Sequence, residues 1–131
     1  MKQQRVDTGW AWAKKLNIPA GAKLGDTVYL SGICSLDDAG NVEAKGDVYG
    51  QSKRTFENIE EALACAGATM ADVVKITTYL TDISTYPDFA KARTEAFPNG
   101  VPASTAVATP ALVMPELLVE VEAMAVIGSG G

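Results

Sequence analysis

The chain has 131 residues, 47% of them hydrophobic, which matches the size and composition of one globular domain with its own core. Its formal charge is −5 and lysine and arginine never cluster beyond a pair, so nucleic acid is excluded as a partner. No apolar run approaches the roughly 20 residues that cross a bilayer, which excludes a membrane span. The absence of histidine excludes serine–histidine and cysteine–histidine nucleophile mechanisms.

The first half of the chain predicts a strand, a loop and a long helix. Thr27–Ser31 alternates in the β manner after a turn-like Gly-Asp pair. Residues 36–43 are rich in turn formers and indicate an exposed loop. Apolar and small residues then recur at helical spacing from Asp47, which suits an N-cap, to Gly67, which suits a C-cap, so this segment is predicted to be an amphipathic helix.

The second half predicts two further strands and another helix around a turn. Residues 73–80 alternate as a strand, and residues 84–85 cap a second helix that ends near Phe97. Residues 105–109 can pair as a short strand, and residues 117–127 form the last and most hydrophobic strand. The order β, helix, β, helix, β, β predicts an α/β (α+β) domain, a mixed sheet with two helices on one face.

That architecture leaves the other face of the sheet uncovered although its strands carry apolar residues on both sides. Copies of the same chain are the simplest cover, so a homo-oligomer is predicted. The whole chain, 1–131, is interpreted as one domain, with residues 1–8 and 128–131 flexible. The N-terminal segment lacks the apolar core of a signal peptide, which indicates a cytoplasmic protein.

The two cysteines and two tryptophans favour structural roles. Cys34 and Cys65 lie in apolar surroundings without metal-ligand spacing, which predicts buried free thiols rather than a disulfide or a metal site. Trp10 and Trp12 have the spacing of an edge strand with both rings on one face. The rings are expected to pack on the body of the protein; the alternative is that they form an aromatic wall of an enlarged pocket.

Short motifs follow one another along the chain: Gly25-Asp-Thr-Val-Tyr-Leu-Ser-Gly32, Gly46-Asp-Val-Tyr-Gly-Gln51, Glu57-Asn-Ile59, Ala66-Gly-Ala68, Asp72-Val-Val-Lys75, Tyr79-Leu-Thr-Asp82 and Val119-Glu-Val-Glu-Ala123. In this order and at these spacings they resemble the RidA/YjgF/UK114 family, also labelled endoribonuclease L-PSP. The resemblance implies a chorismate-mutase-like fold, a homotrimer with a central barrel, and small-molecule clefts at the subunit interfaces. It also implies hydrolysis of enamines and imines such as 2-aminoacrylate to a keto acid and ammonia, with neither a cofactor nor a metal.

The chain departs from the family pattern at the positions that bind substrate. Ser104 stands where the family carries an arginine for the substrate carboxylate, and a neutral hydroxyl cannot replace a bidentate guanidinium. Ile18 aligns with a cleft tyrosine. Ala90 aligns with a helix asparagine and Arg93 with a tyrosine. The resemblance therefore implies a specificity that differs from that of arginine-bearing members.

The resemblance also implies the site residues. Glu120 aligns with the carboxylate that positions the attacking water, and Glu122 shares its strand face. The alternative for this pair is two rim carboxylates at a wet subunit interface. The implied cleft residues are Ser31, Gly32, Ser104, Thr105 and Ala106, although Ser104 and Thr105 could instead simply pair in a strand.

Arg93 lies at helical spacing with Phe89 and Phe97 on the apolar stripe of the second helix. One interpretation is that its stem covers the edge of the core while its charge reaches water. The other is that Arg93 supplies, from a different wall, the cation that is missing at Ser104.

The resulting hypothesis is a hydrolase that acts on a small enamine, imine or related unsaturated acid and releases ammonia. The alternative is a non-catalytic trimer of the same fold that binds a small metabolite or acts as a chaperone-like module. Ribonuclease activity is disfavoured by the net charge of −5 and by the absence of histidine for phosphodiester cleavage.

Overall fold

The chain forms one mixed sheet with helices packed against it. A computed structural model describes all 131 residues. Two 3-10 turns, at Met70–Asp72 and Ile83–Thr85, precede the fifth strand and the third helix. The strands are β1 (Gln4–Val6), β2 (Gly21–Leu24), β3 (Thr27–Leu30), β4 (Ile33–Cys34), β5 (Val73–Leu80), β6 (Ala103–Ala108) and β7 (Val119–Val126), and the helices are α1 (Ala11–Leu16), α2 (Val48–Cys65) and α3 (Tyr86–Ala96).

The strand order is β1-β2-β3-β7-β5-β6, and the two-residue β4 also pairs with β7. Every pairing is antiparallel except that between β5 and β6, which α3 connects as a crossover. β7, the last strand in the chain, therefore lies near the centre of the sheet. β6 lies at one edge with its outer backbone groups unpaired.

The core lies between one face of the sheet and the two long helices. Along β7 the side chains of Val119, Val121, Ala123 and Ala125 are buried, and they alternate with residues that are half-buried or exposed. The buried apolar face of α2 belongs to the same cluster. The predicted mixed α+β fold is thus confirmed. None of the helices is both long and apolar enough to cross a membrane.

The start of α2 is fixed by a side-chain cap, as the sequence predicted. Asp47 has extended backbone geometry, and its carboxylate accepts a hydrogen bond from the amide of Gly50 at 3.0 Å. The cap satisfies one of the amides that a helix leaves unpaired in its first turn. The helix ends at Cys65, and Gly67 follows with a φ of +84°, in the left-handed region that glycine tolerates.

Asp47→Ala is expected to lower the free energy of unfolding by about 1 kcal/mol, because the Gly50 amide loses its acceptor. Urea denaturation followed by circular dichroism measures the change. Asp47→Asn is the matched control, since asparagine is an equally good cap, and it should stay within a few tenths of a kcal/mol of the wild type. Equal losses in the two variants would contradict the role of the cap.

The tryptophan segment is helical, so the predicted edge strand is wrong. Trp10 precedes α1 and is buried, Trp12 lies in the first helical turn, and their rings stack with centroids 6.0 Å apart. The i, i+2 spacing suggested a strand, but the alanine, lysine and leucine of this segment are good helix formers. Both rings pack on the core, as expected.

Two smaller features, at Cys65 and Thr85, also differ from the sequence-based expectations, whereas the flexibility expected of the chain ends stays a prediction. Cys65 is exposed, because it lies on the outer side of the last turn of α2, whereas Cys34 is buried as predicted. Thr85 occupies the N-cap position of α3, but its hydroxyl donates to the carbonyl of Asp82 instead of capping the helix. The N-terminal eight residues, expected to be flexible, include β1. The C-terminal residues 129–130 hydrogen-bond to Asp72.

Candidate active site

Glu120 lies on the central strand β7 between two neighbouring strands that both bring side chains beside it. Its partner across the ladder is Cys34 of β4 on one side and Tyr79 of β5 on the other. The Cys34 thiol lies 3.1 Å from Glu120 Oε1 and donates a hydrogen bond to it. Burial raises the pKa of the Cys34 thiol, and the charge of Glu120 raises it further, so the thiol keeps its proton and acts as a donor.

Gly32 leaves the space that the Glu120 carboxylate occupies. A Cβ built on Gly32 would overlap Oε2 of Glu120, and the carboxylate carbon would also lie only 2.8 Å away. A side chain at this position would therefore displace the Glu120 carboxylate from its place. One carboxylate oxygen of Glu120 thus meets a thiol, and the other faces the backbone of Gly32.

Ser31, which precedes Gly32, is hydrogen-bonded to the segment that follows Ile18. The Ser31 hydroxyl donates to the carbonyl of Pro19 at 2.8 Å, and the Ser31 amide donates to the carbonyl of Ala20. Ile18, which is exposed, immediately precedes this anchored pair. The structure thereby places Gly32 beside Glu120, with Ser31 next to it and hydrogen-bonded to the backbone that follows Ile18.

Two buried amide side chains of α2 hold the strands that carry Cys34 and Glu120. Asn58 donates to the carbonyls of Cys34 and Leu36, both at 3.0 Å. Gln51 donates to the carbonyl of Glu116 and accepts from the amide of Leu118, both at 2.9 Å, just before β7 begins. Because Asn58 donates to two backbone carbonyls and Gln51 both donates to and accepts from the backbone, these amides fix β4 and β7 relative to the helix.

A second group of predicted site residues lies at the edge strand. Arg93 of α3 donates from Nη1 to the hydroxyl of Ser104 at 3.0 Å. The guanidinium carbon lies 5.4 Å from the ring centroids of both Tyr86 and Phe89. No carboxylate lies within ion-pair distance of Arg93, and its buried Nε has no hydrogen-bond partner. The structure thus places the guanidinium of Arg93 directly beside the hydroxyl of Ser104.

The remaining polar candidates lie on the sheet face opposite α2 and α3. Tyr79 donates to Glu122 at 2.9 Å, and the pKa of Tyr79 is raised because this hydrogen bond and the charge of Glu122 favour the protonated phenol. Lys75 donates to Thr105 at 2.6 Å. Glu122 is therefore engaged by a tyrosine and is not a hydrogen-bond partner of Glu120.

In one chain the two groups of site residues lie on opposite faces of the sheet. Residues paired across a ladder point to the same face. Ser104 pairs with Ile76, which is fully buried beneath the helices, whereas Glu120 pairs with Tyr79 on the other face. Ala106 points the same way as Ser104. A pocket that used both Glu120 and Arg93 would have to be assembled from two copies of the chain.

A cavity in the structure lies away from the predicted site residues. It has a volume of about 610 Å³ and is situated between α2 and the C-terminal end of α3. Phe56, Met70 and Phe97 line it together with three glutamates, and none of the predicted site residues does. This cavity therefore does not coincide with the predicted site.

The family model described as endoribonuclease L-PSP matches residues 18–127. The chain belongs to the RidA/YjgF family. A RutC family protein of Pyrococcus abyssi is 36% identical over 103 residues, which cover 79% of this chain and 80% of the relative. The 3-aminoacrylate deaminase RutC of Acinetobacter baylyi is 34% identical over 108 residues, covering 82% and 84%. The crystal structure of RidA from an Antarctic Psychrobacter superposes with a TM-score of 0.85 at 30% identity, covering 95% of this chain and 99% of that one.

Sequence reasoning missed two side chains that lie beside Glu120 in the candidate site. Cys34 and Tyr79 flank Glu120, yet they lie 86 and 41 residues before it in the chain. No local sequence pattern indicates that either residue lies beside Glu120, because β4 is only two residues long and the pairing of the strands is set by the sheet. The alternation along β5, which puts Tyr79 on the face opposite Thr78 and Leu80, was the one signal that its ring points away from the core.

Proposed function

We propose that this RidA-family chain is a hydrolase that converts a small carboxylate-bearing enamine or imine to a carbonyl product and ammonia. The observation that carries this proposal is the geometry of Glu120, with one oxygen held by the Cys34 thiol and the other facing the backbone of Gly32. The name of the Acinetobacter baylyi relative, 3-aminoacrylate deaminase, supports the same reaction class.

In the proposed reaction Glu120 acts as the general base. The enamine first tautomerises to the imine, and Glu120 accepts a proton from water as the water oxygen bonds to the imine carbon. Glu120 returns that proton to the nitrogen, which gives a carbinolamine. The proton of the new hydroxyl then moves to the nitrogen as the carbon–nitrogen bond breaks, and ammonia leaves as the carbonyl forms. Water and 2-aminoacrylate thus give pyruvate and ammonia, and no cofactor enters the balance. A positioned carboxylate typically contributes a factor of about 10²–10⁴ to such a step.

Arg93 is proposed to bind the carboxylate of the substrate, with Ser104 as its neighbour. A guanidinium without a carboxylate partner retains its capacity for a bidentate bond to an incoming anion. The rings of Tyr86 and Phe89 hold the cation in a defined place, which limits the ordering cost of binding. The remaining walls of the substrate cleft are assigned to the backbone of Ser31, Thr105 and Ala106 and to the side chain of Ile18.

We also propose that the working form is a cytoplasmic homotrimer with its clefts between subunits. The placement of Glu120 and Ser104 on opposite faces of one chain supports a shared cleft, since each subunit can present only one half to a given substrate. The face opposite the helices exposes Tyr29 and Val107, which supports its burial against other copies. Sedimentation velocity should give three times the monomer mass; a monomer at micromolar concentration would contradict the trimer.

The test is release of ammonia and carbonyl product from three enzymatically generated substrates: 2-aminoacrylate, 2-iminobutyrate and 3-aminoacrylate. Hydrolysis of at least one of them above the rate without protein is the expected result, and the preferred substrate reports the specificity. If none is hydrolysed faster than without protein, the hydrolase proposal is overturned in favour of a non-catalytic binding or chaperone-like trimer.

A further inference from the structure

Glu120 receives one hydrogen bond from its own chain, and the donor is a cysteine thiol. No lysine or arginine lies within ion-pair distance of the carboxylate. The titratable groups that face it from the neighbouring strands are Cys34 of β4 and Tyr79 of β5, and Glu122 lies two residues along its own strand. The Tyr79 hydroxyl donates its hydrogen bond to Glu122 instead. The Cys34 thiol is therefore the side chain that orients Glu120.

The contact is built into the register of the sheet. Cys34 and Glu120 are directly opposite each other in the β4–β7 ladder, so their side chains leave the same face side by side. Asn58 anchors the carbonyl of Cys34 from α2, which fixes the backbone that carries the thiol. The separation of 3.1 Å between sulfur and oxygen is within hydrogen-bonding range for a thiol.

The direction of the hydrogen bond follows from the protonation states. A buried thiolate beside a carboxylate would place two negative charges together, which costs more than keeping the proton on sulfur. The pKa of Cys34 is raised accordingly, first by burial and then by Glu120. The thiol therefore donates throughout the pH range in which a deaminase works.

We propose that Cys34 is a positioning residue that holds Oε1 of Glu120, so that Oε2 is the oxygen presented to water. As a catalytic role it rests on the proposed hydrolase function, whereas the hydrogen bond itself does not. From the sequence alone, Cys34 is predicted only as a buried free thiol.

The bond is tested without substrate by the infrared S–H stretching band. In a Cys65→Ser background Cys34 is the only thiol, and its band should lie at lower frequency than the band of Cys65 in a Cys34→Ser variant. Glu120→Gln in the Cys65→Ser background should move the Cys34 band to higher frequency, because a carboxamide is a weaker acceptor than a carboxylate. A band that Glu120→Gln leaves unmoved overturns the bond.

The positioning role is tested by measuring kcat and KM separately in Cys34→Ser and Cys34→Ala. Serine keeps a donor, so its kcat should stay within about twofold of the wild-type value. Alanine removes the donor and should lower kcat by about fivefold with KM unchanged. Equal kcat values in the Ser and Ala variants overturn positioning. A wild type without activity overturns the hydrolase function and with it the catalytic role, while the infrared band still decides the bond.

Discussion

Glu120→Gln is expected to lower kcat for imine hydrolysis by about 10²–10⁴-fold, the usual contribution of a positioned general base. Glutamine has nearly the same size and can still accept the hydrogen bond from Cys34, so the strand and its neighbours should keep their places. It cannot take a proton from water at neutral pH. Steady-state ammonia release measures kcat, and circular dichroism checks that the variant folds.

Glu122→Gln is the comparison that makes this result specific. Glu122 lies two residues along the same strand, but it is exposed and accepts from Tyr79 rather than from Cys34. Removing the charge of Glu122 should therefore lower kcat far less than removing the charge of Glu120. Equal reductions in both variants would mean that the negative potential of the face, and not a defined base, supports the reaction.

The regular part of the fold could be predicted because its signals are local. The alternation along β7 identifies which residues face the core, and Asp47 and Gly67 mark the two ends of α2 in the sequence itself. The short strands carry no such signal. β1 and β4 contain three and two residues, and they exist only because β2 and β7 offer them a ladder.

The candidate site shows the same division between local and long-range information. Arg93 could be suspected from sequence, because a charged residue on the apolar stripe of a helix is unusual, and its partner Ser104 lies only 11 residues later. The contact between the Cys34 thiol and Glu120 could not be suspected from sequence, because 86 residues separate the two. The pairing of strands decides that contact, and a sequence does not display strand register.

Arg93 is proposed to bind the carboxylate of the substrate, so its substitution should have the second large effect on kcat/KM. Arg93→Gln is expected to lower kcat/KM for carboxylate substrates by roughly 10–100-fold, mainly through KM, because a charge-assisted hydrogen bond contributes about 1.5–3 kcal/mol. Arg93→Lys should recover only part of this, since an ammonium cannot form the bidentate bond. Thermal unfolding serves as a check, because losing the contacts to Tyr86 and Phe89 also weakens packing.

A relocation of the cation distinguishes substrate binding from packing. In the double variant Arg93→Gln/Ser104→Arg the guanidinium returns to β6, and its position beside the former Arg93 site should restore most of the lost kcat/KM. Binding of 2-oxobutyrate and of its neutral amide, followed by NMR, gives a readout without turnover. The wild type and the double variant should prefer the acid, and Arg93→Gln should not. If Arg93→Gln retains the preference, the arginine only covers the edge of the core, and the carboxylate is bound by other groups.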